Sequence, residues 1–379
     1  MGNRTAAEVF APGEFIADEL EARSWSQVEL ADILGRPPRL ISELIAGKRA
    51  ITPETAKGLG AAFGTGAEFW MNLERDYRLA HAIHDDAAVE RRSKLYAKAP
   101  VKEMINRRWI EPSENIEVLE KRVFDFLQIR SIEDEPWLAH AAKKGTAYSD
   151  VTGAQWAWLF RVLQIAKGIS VPPYSRAFLL EALDKLEAIL VAPEEARHVP
   201  RILAECGVRL VIVERLQQAK IDGACSWLDK NAPVIGMSMR RDRIDNFWFV
   251  LRHEIEHVLR GDGLDTPIFD ADLEGVRAGT GEVLPPEERE ANRAAANFCV
   301  PTDKLVSFMK RKHPFYYEKD VTAFAQIMAR HPGLVIGQMQ FRLDDYKYLA
   351  KRLSFYKVRQ FVLPGAIVDG WGQTLQIAN

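Results

Sequence analysis

Cysteine is scarce in this chain. Its 379 residues include three, Cys206, Cys225 and Cys299, and no two of them form a Cys-x-x-Cys pair. So small and odd a number argues against a disulfide framework and favours a reducing compartment. Uninterrupted apolar runs of about 18 residues are also missing, so the sequence predicts no membrane-spanning helix. Residues 1–10 lack the apolar core of a signal peptide. We therefore expect a cytoplasmic protein that does not bind membranes.

An excess of charge of one sign is absent as well. Lys and Arg total 51 and Asp and Glu total 53, which gives a formal net charge of −2. The whole molecule is therefore not a polycation, and any surface for nucleic acid must be a local patch. Apolar residues make up 47% of the chain, which is enough for a buried core. The length favours two or three domains.

The hydrophobic pattern divides the chain into three parts. Helical spacing dominates up to about residue 205, and the apolar, β-branched run 208–213 then predicts a strand. Shorter strands are expected at 224–228 and 233–239, before a long helix and further helices. This order predicts an α+β chain that is mostly helical. The predicted domains are a domain of short helices at 1–92, a helical linker or scaffold at 93–200, and a domain with a small sheet at 201–379.

The region around residues 25–52 has the pattern of two short helices joined by a tight turn. Ser26 is a suitable N-cap for the first helix, and Gly35 permits the turn. Pro37 and Pro38 suit the start of the second helix, where the first N–H groups lack helical partners. The residues expected to face the core are Val28, Leu30 and Ala31 in the first helix and Leu40, Ile41, Leu44 and Ile45 in the second.

The outward side of this pattern is basic and suits DNA. Arg36, Arg39 and Ser42 are expected on the outer face of the second helix, which can enter the major groove. Lys48 and Arg49 follow that helix and suit phosphate contacts. The alternative is a small helical domain whose arginines are only solvated, since short helix-turn-helix patterns are loose.

A family resemblance favours the DNA-binding interpretation. The chain resembles the XRE-type helix-turn-helix of HigA-like antitoxins in three stretches: Pro12-Gly-Glu-Phe-Ile16, Ser42-Glu-Leu-Ile-Ala-Gly-Lys-Arg-Ala-Ile-Thr-Pro-Glu-Thr-Ala56 and Gly66-Ala-Glu-Phe-Trp-Met-Asn-Leu73. The resemblance implies a five-helix, lambda-repressor-like domain that binds double-stranded operator DNA, usually as a homodimer. It also implies repression of the protein's own operon and, in many relatives, a toxin as partner.

The strongest chemical signal is the segment Arg252-His-Glu-Ile-Glu-His-Val-Leu-Arg260. His253 and His257 are four residues apart, so they project from one face of a helix and can share one Zn²⁺. Glu254 lies beside them and is placed to take a proton from a water molecule activated by the metal. The alternative is an ordinary charged helix face that happens to carry two histidines.

A catalytic zinc site needs a third protein ligand, and we expect it on the helix that starts near Pro286. Glu288 is the first candidate and Glu290 the second. Asn292 lies four residues after Glu288 on the same face, where it could orient a ligand histidine. Peptide hydrolysis also needs a group that stabilises an oxyanion, and the sequence does not choose among His313, Tyr316 and Tyr317.

These two segments resemble the ImmA/IrrE family of metallopeptidases. His253-Glu-Ile-Glu-His257 matches the family's His-Glu-x-x-His motif, and Glu288-Arg-Glu-Ala-Asn292 matches its glutamate-containing second helix. The chain departs from the family at Ala294, where an aromatic residue is usual. The resemblance implies a gluzincin-like fold with Glu288 as the third zinc ligand. For some members it implies cleavage of a helix-turn-helix repressor, and for others a sensing or scaffold role.

The sequence therefore supports two hypotheses. The first is a DNA-binding transcriptional regulator with a zinc metallo-endopeptidase domain that cleaves a repressor, a partner protein or the chain itself. The second is a HigA-like antitoxin and autorepressor whose zinc domain is not catalytic but structural, partner-binding or ligand-sensing.

Overall fold

The computed structural model describes residues 9–82, 86–136, 151–264, 267–270 and 285–369. The chain divides into two compact units, Met1–Ala87 and Ala88–Asn379. Within the described residues no helix is both long enough and apolar enough to cross a membrane. The prediction of a mostly helical α+β chain is confirmed, because helices dominate both units and the strands form one small mixed sheet.

The described part of the first unit, 9–82, consists of helices joined by short turns. Its helices are α1 (Pro12–Arg23), α2 (Gln27–Leu34), α3 (Pro38–Ile45), α4 (Pro53–Phe63) and α5 (Ala67–His81). Local chemistry sets the helix-turn-helix, as predicted. Ser26 Oγ accepts a hydrogen bond from Glu29 N at 3.2 Å and begins α2. Gly35 ends α2 with φ +62°, a conformation that glycine adopts without steric cost.

The core of the first unit is formed by apolar side chains from all of these helices, among them Ile16, Leu30, Ile41 and Trp70. The expectation that Val28 also faces the core is wrong, because its side chain is 55% exposed. Val28 lies two positions before Leu30, which at 3.6 residues per turn is about 200° away around the helix. The burial of Leu30 therefore puts Val28 on the solvent side.

The helices of the second unit surround the sheet. They are α6 (Asp86–Lys98), α7 (Val101–Asn106), α8 (Ile116–Leu127), α9 (Gly153–Lys167), α10 (Arg176–Ala188), α11 (Val199–Glu205), α12 (Ile244–Arg260), α13 (Pro286–Cys299), α14 (Thr302–Lys312), α15 (Glu318–Ile327), α16 (Pro332–Leu343), α17 (Ala350–Leu353) and α18 (Arg359–Val362). Short 3₁₀ helices lie at Pro193–His198 and Leu363–Gly365.

The strands are β1 (Arg209–Val213), β2 (Gly223–Trp227), β3 (Pro233–Met237), β4 (Ile268–Asp270) and β5 (Ile367–Asp369). In the part of the chain that the structure describes they form one sheet in the order β4-β2-β3-β1-β5. The pairs β1–β3 and β1–β5 are parallel, whereas β2 is antiparallel to β3 and β4. The three strands predicted from the sequence are therefore present and central.

Both faces of this sheet are covered by helices. Successive residues of β1 enter different cores: Leu210 and Ile212 join the one that contains α12, while Val211 and Val213 join the one that contains α9. This alternation follows from the two-residue repeat of a strand. A sheet buried on both faces explains why its strands are almost continuously apolar.

Residues 93–200, expected as a scaffold, belong to the same compact unit as residues 201–379. The link is α9, which packs directly on the sheet. Trp158 Nε1 donates a hydrogen bond to Val213 O at 2.8 Å. A Cβ on Gly236 would lie 2.8 Å from the Trp158 ring, so glycine lets this helix approach β3. The helix therefore supports the sheet face opposite to α12.

Candidate metal centre and nucleic-acid interface

The long helix α12 carries both histidines of the His-Glu-x-x-His motif. It lies between the sheet and α13, so His253 and His257 are fully buried. Their four-residue spacing places both rings on one helix face, and the two Nε2 atoms are 3.0 Å apart. Two imidazoles this close together on one buried helix face could share one metal ion.

A glutamate from α13 completes the cluster. Glu288 Oε2 lies 3.2 Å from His253 Nε2, and Glu288 Oε1 lies 3.5 Å from His257 Nε2. One ligand atom from each residue falls within 4.8 Å of the others. Around a tetrahedral Zn²⁺ with bonds of about 2.0–2.1 Å, ligand atoms are separated by roughly 3.3 Å. The donor set, two imidazoles and a carboxylate, therefore fits zinc in both chemistry and spacing.

Glu254 adjoins the cluster on the side of the sheet. Its side chain is fully buried and lies directly against β2 at Gly223. A Cβ on Gly223 would lie 2.8 Å from Glu254 Cδ and would collide with Oε1. The carboxylate is therefore held between α12 and β2, next to the ligands but outside the group that could hold a metal ion.

Glu290, the second ligand candidate on α13, lies apart from the cluster. Glu290 Oε2 pairs with Arg293 Nη2 at 2.6 Å, and its side chain is 43% exposed. Asn292 is half-buried one turn after Glu288. Asp262 contacts His257 and was not predicted from the sequence: its Oδ2 is 3.0 Å from His257 Nδ1. The signal that could have indicated it is the Gly-Asp-Gly turn directly after the motif helix.

The three oxyanion candidates lie beyond the end of α14. His313 and Tyr316 line a groove of about 740 Å³, together with Met309, Phe341 and other residues of α14 and α16. None of the cluster residues lines this groove. Tyr317 is 58% exposed and its ring stacks on Phe315. The role of oxyanion stabiliser therefore stays a prediction for all three residues.

In the first unit, α3 presents the predicted DNA-contacting residues on the surface. Arg36, Arg39 and Ser42 are exposed, and so are Lys48 and Arg49 in the turn after α3. The opposite side of α3 is buried through Ile41 and Leu44. The prediction that this helix has one core face and one basic outer face is confirmed for the side chains that the structure describes.

An acidic residue that the sequence analysis did not single out lies among these arginines. Glu43 Oε1 accepts a hydrogen bond from Arg39 Nε at 2.7 Å, and Glu43 Oε2 accepts one from Arg49 Nη1 at 3.5 Å. The hydrogen bond from Arg39 lowers the pKa of Glu43 below its usual value, so the carboxylate is ionised at neutral pH. Arg39 is thus held at Nε, while its side chain is 87% exposed.

Comparison with known proteins identifies the class of the first unit. Residues 16–70 match the helix-turn-helix family model HTH_3. The chain is 35% identical to the HTH-type transcriptional regulator YddM of Escherichia coli strain K12 over 71 residues, which is 19% of this chain and 76% of that protein. It is also 34% identical to virulence-associated protein I of Dichelobacter nodosus over 79 residues, which is 21% of this chain and 73% of that protein. The chain therefore belongs to the helix-turn-helix family through its N-terminal unit.

Two solved structures also match short parts of the chain. An antidote protein of a plasmid maintenance system from Nostoc punctiforme is 38% identical, with 20% of this chain and 85% of that chain covered and a TM-score of 0.20. An addiction module antidote protein of the HigA family from Coxiella burnetii is 37% identical, with 19% of this chain and 79% of that chain covered and a TM-score of 0.19.

Proposed function

We propose that this chain is a cytoplasmic, DNA-binding transcriptional regulator whose second unit is a zinc metallopeptidase of the ImmA/IrrE type. The observation that carries the proposal is the metal cluster: ligand atoms of His253, His257 and Glu288 lie within 4.8 Å of one another. Glu254 adjoins them in the same buried region. Two imidazoles, a carboxylate and a neighbouring glutamate are the groups that zinc-dependent peptide hydrolysis uses.

The first unit would bind operator DNA. Arg36 and Arg39 at the start of α3 would reach base edges in the major groove, where an arginine can bond guanine bidentately. Ser42 lies on the same face, and Lys48 and Arg49 would contact phosphates. Two copies would pair to read half-sites about 34 Å apart, one turn of DNA. A palindromic site recovered by selection from random duplexes would support this arrangement, whereas binding without any base preference would contradict it.

In the second unit, His253, His257 and Glu288 would hold the zinc ion. Zinc supplies Lewis acidity, which lowers the pKa of a water molecule and polarises a carbonyl group. Glu254 would accept the proton that water loses as its oxygen bonds to the peptide carbon. It would then give that proton to the nitrogen as the C–N bond breaks, so no other co-reactant is needed. The substrate would be a repressor, another partner protein or the chain itself.

Zinc content and proteolysis test this proposal together. The purified chain should contain about one zinc per molecule, and His257→Ala should lose it. Glu254→Gln should keep the zinc but abolish any fragment that the zinc-loaded protein produces from itself or from unfolded casein, as seen by mass spectrometry. A protein without zinc, even after reloading, would refute the metal site. Zinc binding with identical fragments in Glu254→Gln would refute the catalytic role of Glu254.

One observation favours a second candidate function. His253, Glu254 and His257 are fully buried, and the Glu288 side chain is only 15% exposed. A protein substrate must reach a catalytic zinc ion, so ligand side chains that are closed off from solvent favour a metal centre without catalysis. The alternative is a HigA-like antitoxin and autorepressor whose zinc domain is structural, ligand-sensing or binds a partner such as a toxin. It predicts zinc binding and operator repression that Glu254→Gln leaves unchanged, and no proteolysis.

A further inference from the structure

The Nδ1 atom of His257 is hydrogen-bonded to an aspartate in the turn that follows α12. Asp262 Oδ2 lies 3.0 Å from His257 Nδ1. Arg260 Nε donates to the same oxygen at 3.2 Å. A carboxylate can only accept, so Nδ1 must carry the proton, and the lone pair of His257 is then on Nε2. Nε2 is the atom that lies 3.0 Å from His253 Nε2 in the metal cluster.

The backbone turns back on itself to bring Asp262 to this place. Gly261 ends α12 with φ +77°, and Asp262 N donates to His257 O at 2.9 Å. Gly263 follows with φ +81°. Both glycines adopt the left-handed conformation that other residues rarely adopt. The turn therefore directs the side chain of residue 262 back along the helix, onto the histidine one turn earlier.

This turn is also fixed from the sheet. Asp262 O accepts a hydrogen bond from Trp227 Nε1 at 2.8 Å, and Trp227 is 2% exposed at the end of β2. A Cβ on Gly263 would lie 2.8 Å from Cys225 O, so the turn is in close contact with the same strand. Strand β2 thus contacts two residues that adjoin the cluster: Gly223 lies against Glu254, and Trp227 is hydrogen-bonded to Asp262.

We propose that Asp262 is the positioning residue for His257: it fixes the Nδ1–H tautomer and directs the Nε2 lone pair at the cation, and Trp227 holds Asp262 in that place. A carboxylate behind a metal-binding histidine orients the ring and makes it more basic. The proposal rests on the zinc site proposed above. It goes further by assigning the support of His257 to the turn after α12.

The test measures zinc affinity by competition with a chelator in four full-length variants. Asp262→Ala should weaken zinc binding by about 100-fold, and Asp262→Asn, which keeps an acceptor oxygen, by about 10-fold. Trp227→Phe keeps an aromatic ring, although a smaller one, and removes the N–H, so it should weaken binding less than Asp262→Ala. Asp229→Asn is the matched control, because Asp229 lies in the exposed turn after β2 and caps Asn231 N at 2.8 Å. It should bind zinc like the wild type.

A second readout separates positioning from folding. In zinc-free protein labelled with ¹⁵N-histidine, two-bond ¹H–¹⁵N couplings should report the Nδ1–H tautomer of His257. Asp262→Ala should shift it toward Nε2–H while the other histidine signals stay in place. Unchanged affinity and an unchanged tautomer in Asp262→Ala, beside a wild type that binds zinc, would overturn the positioning role and leave the metal site intact. A wild type that binds no zinc and has Nε2–H at His257 would overturn both the zinc site and the positioning role of Asp262.

Discussion

Glu254 on α12 and Gly223 on β2 approach each other so closely that a Cβ at position 223 would overlap the Glu254 carboxyl group. A Cβ there would lie 2.8 Å from Glu254 Cδ and 3.0 Å from Val250 Cγ1. Protein interiors rarely adjust to such overlap without moving a side chain or the backbone. The strand therefore fixes how far the Glu254 carboxylate can move away from the two histidines of its own helix.

Gly223→Ala should for this reason destabilise the second unit by about 1–3 kcal/mol, as overpacking does in other cores. Truncating the opposing group should relieve the collision. In a urea-unfolding cycle, Gly223→Ala and Glu254→Ala should thus couple by roughly 1 kcal/mol or more, with the double variant more stable than the sum of the single effects predicts. Gly168→Ala is the control, because a Cβ there meets only Ile165 O at 3.4 Å. Additive single effects would contradict the contact.

The ion pairs of Glu43 lead to a prediction about DNA binding. Removing its carboxylate takes a negative charge from the face that carries Arg39 and Arg49 and releases Arg39 Nε. Glu43→Ala should therefore bind random-sequence duplex roughly 2- to 5-fold more tightly at low salt, and the gain should shrink as salt is raised. Base preference at the positions that Arg39 reads should weaken, because the guanidinium is no longer held in one orientation.

Fluorescence anisotropy at two salt concentrations and selection from a random duplex pool measure these two effects. Glu21→Ala is the matched control, since it removes one exposed carboxylate from α1 and leaves α3 unchanged. Equal affinity gains in Glu43→Ala and Glu21→Ala would mean that only net charge matters. A selected sequence identical to that of the wild type would contradict the orienting role of Glu43.

His331, at the start of α16, leads to a pH-dependent prediction. Burial lowers its pKa from 6.5 to about 4, and its Nδ1 accepts a hydrogen bond from Gly333 N at 3.1 Å. The Tyr356 ring packs edge-on against it, Glu194 raises the pKa slightly and Arg352 lowers it. The folded state keeps His331 neutral. Its contribution to the free energy of unfolding is therefore fully present above pH 6.5 and is lost as the pH falls from 6.5 toward 4.

Between pH 7 and pH 5 the wild type should lose roughly 1–2 kcal/mol of unfolding free energy through this group. His331→Asn keeps a side-chain acceptor at the N-cap but cannot titrate. Zinc-free urea unfolding of both proteins at the two pH values isolates the effect, because the other groups titrate alike in each. The same pH-dependent loss in both proteins would show that His331 is not the group responsible.

Zinc removal should affect one unit and spare the other. Since the proposed ligands lie on α12 and α13 in the second unit, zinc at about 100 times its Kd should stabilise that unit by about 2.7 kcal/mol. Chelation should reverse the effect. The unfolding of the helix-turn-helix unit should not change, and His257→Ala should abolish the difference in the second unit. A shift of both transitions, or of neither, would contradict the proposed location of the site.

Short-range patterns determined much of what could be read from the sequence. The spacing of His253 and His257 specifies a shared helix face whatever surrounds the helix, because both side chains belong to successive turns. Ser26 and Gly35 specify the limits of α2 for a similarly local reason, through a hydrogen bond three residues along the chain and a backbone angle. Even here Val28 was misplaced: it lies about 200° around the helix from Leu30, so the burial of Leu30 leaves Val28 exposed.

Tertiary packing decided the rest. Glu288 and Glu290 are both glutamates on one helix, and only the docking of α13 on α12 turns the first toward the histidines and leaves the second beside Arg293. Asp262 could not be recognised as the partner of His257 from spacing, because its position depends on a reversed turn and on Trp227 from a separate strand. The sequence by itself determined which side chains share one helix turn. Which helix turn meets which strand depends on contacts between residues far apart in the chain. These contacts form only when the hydrophobic core packs, so they cannot be read from local spacing.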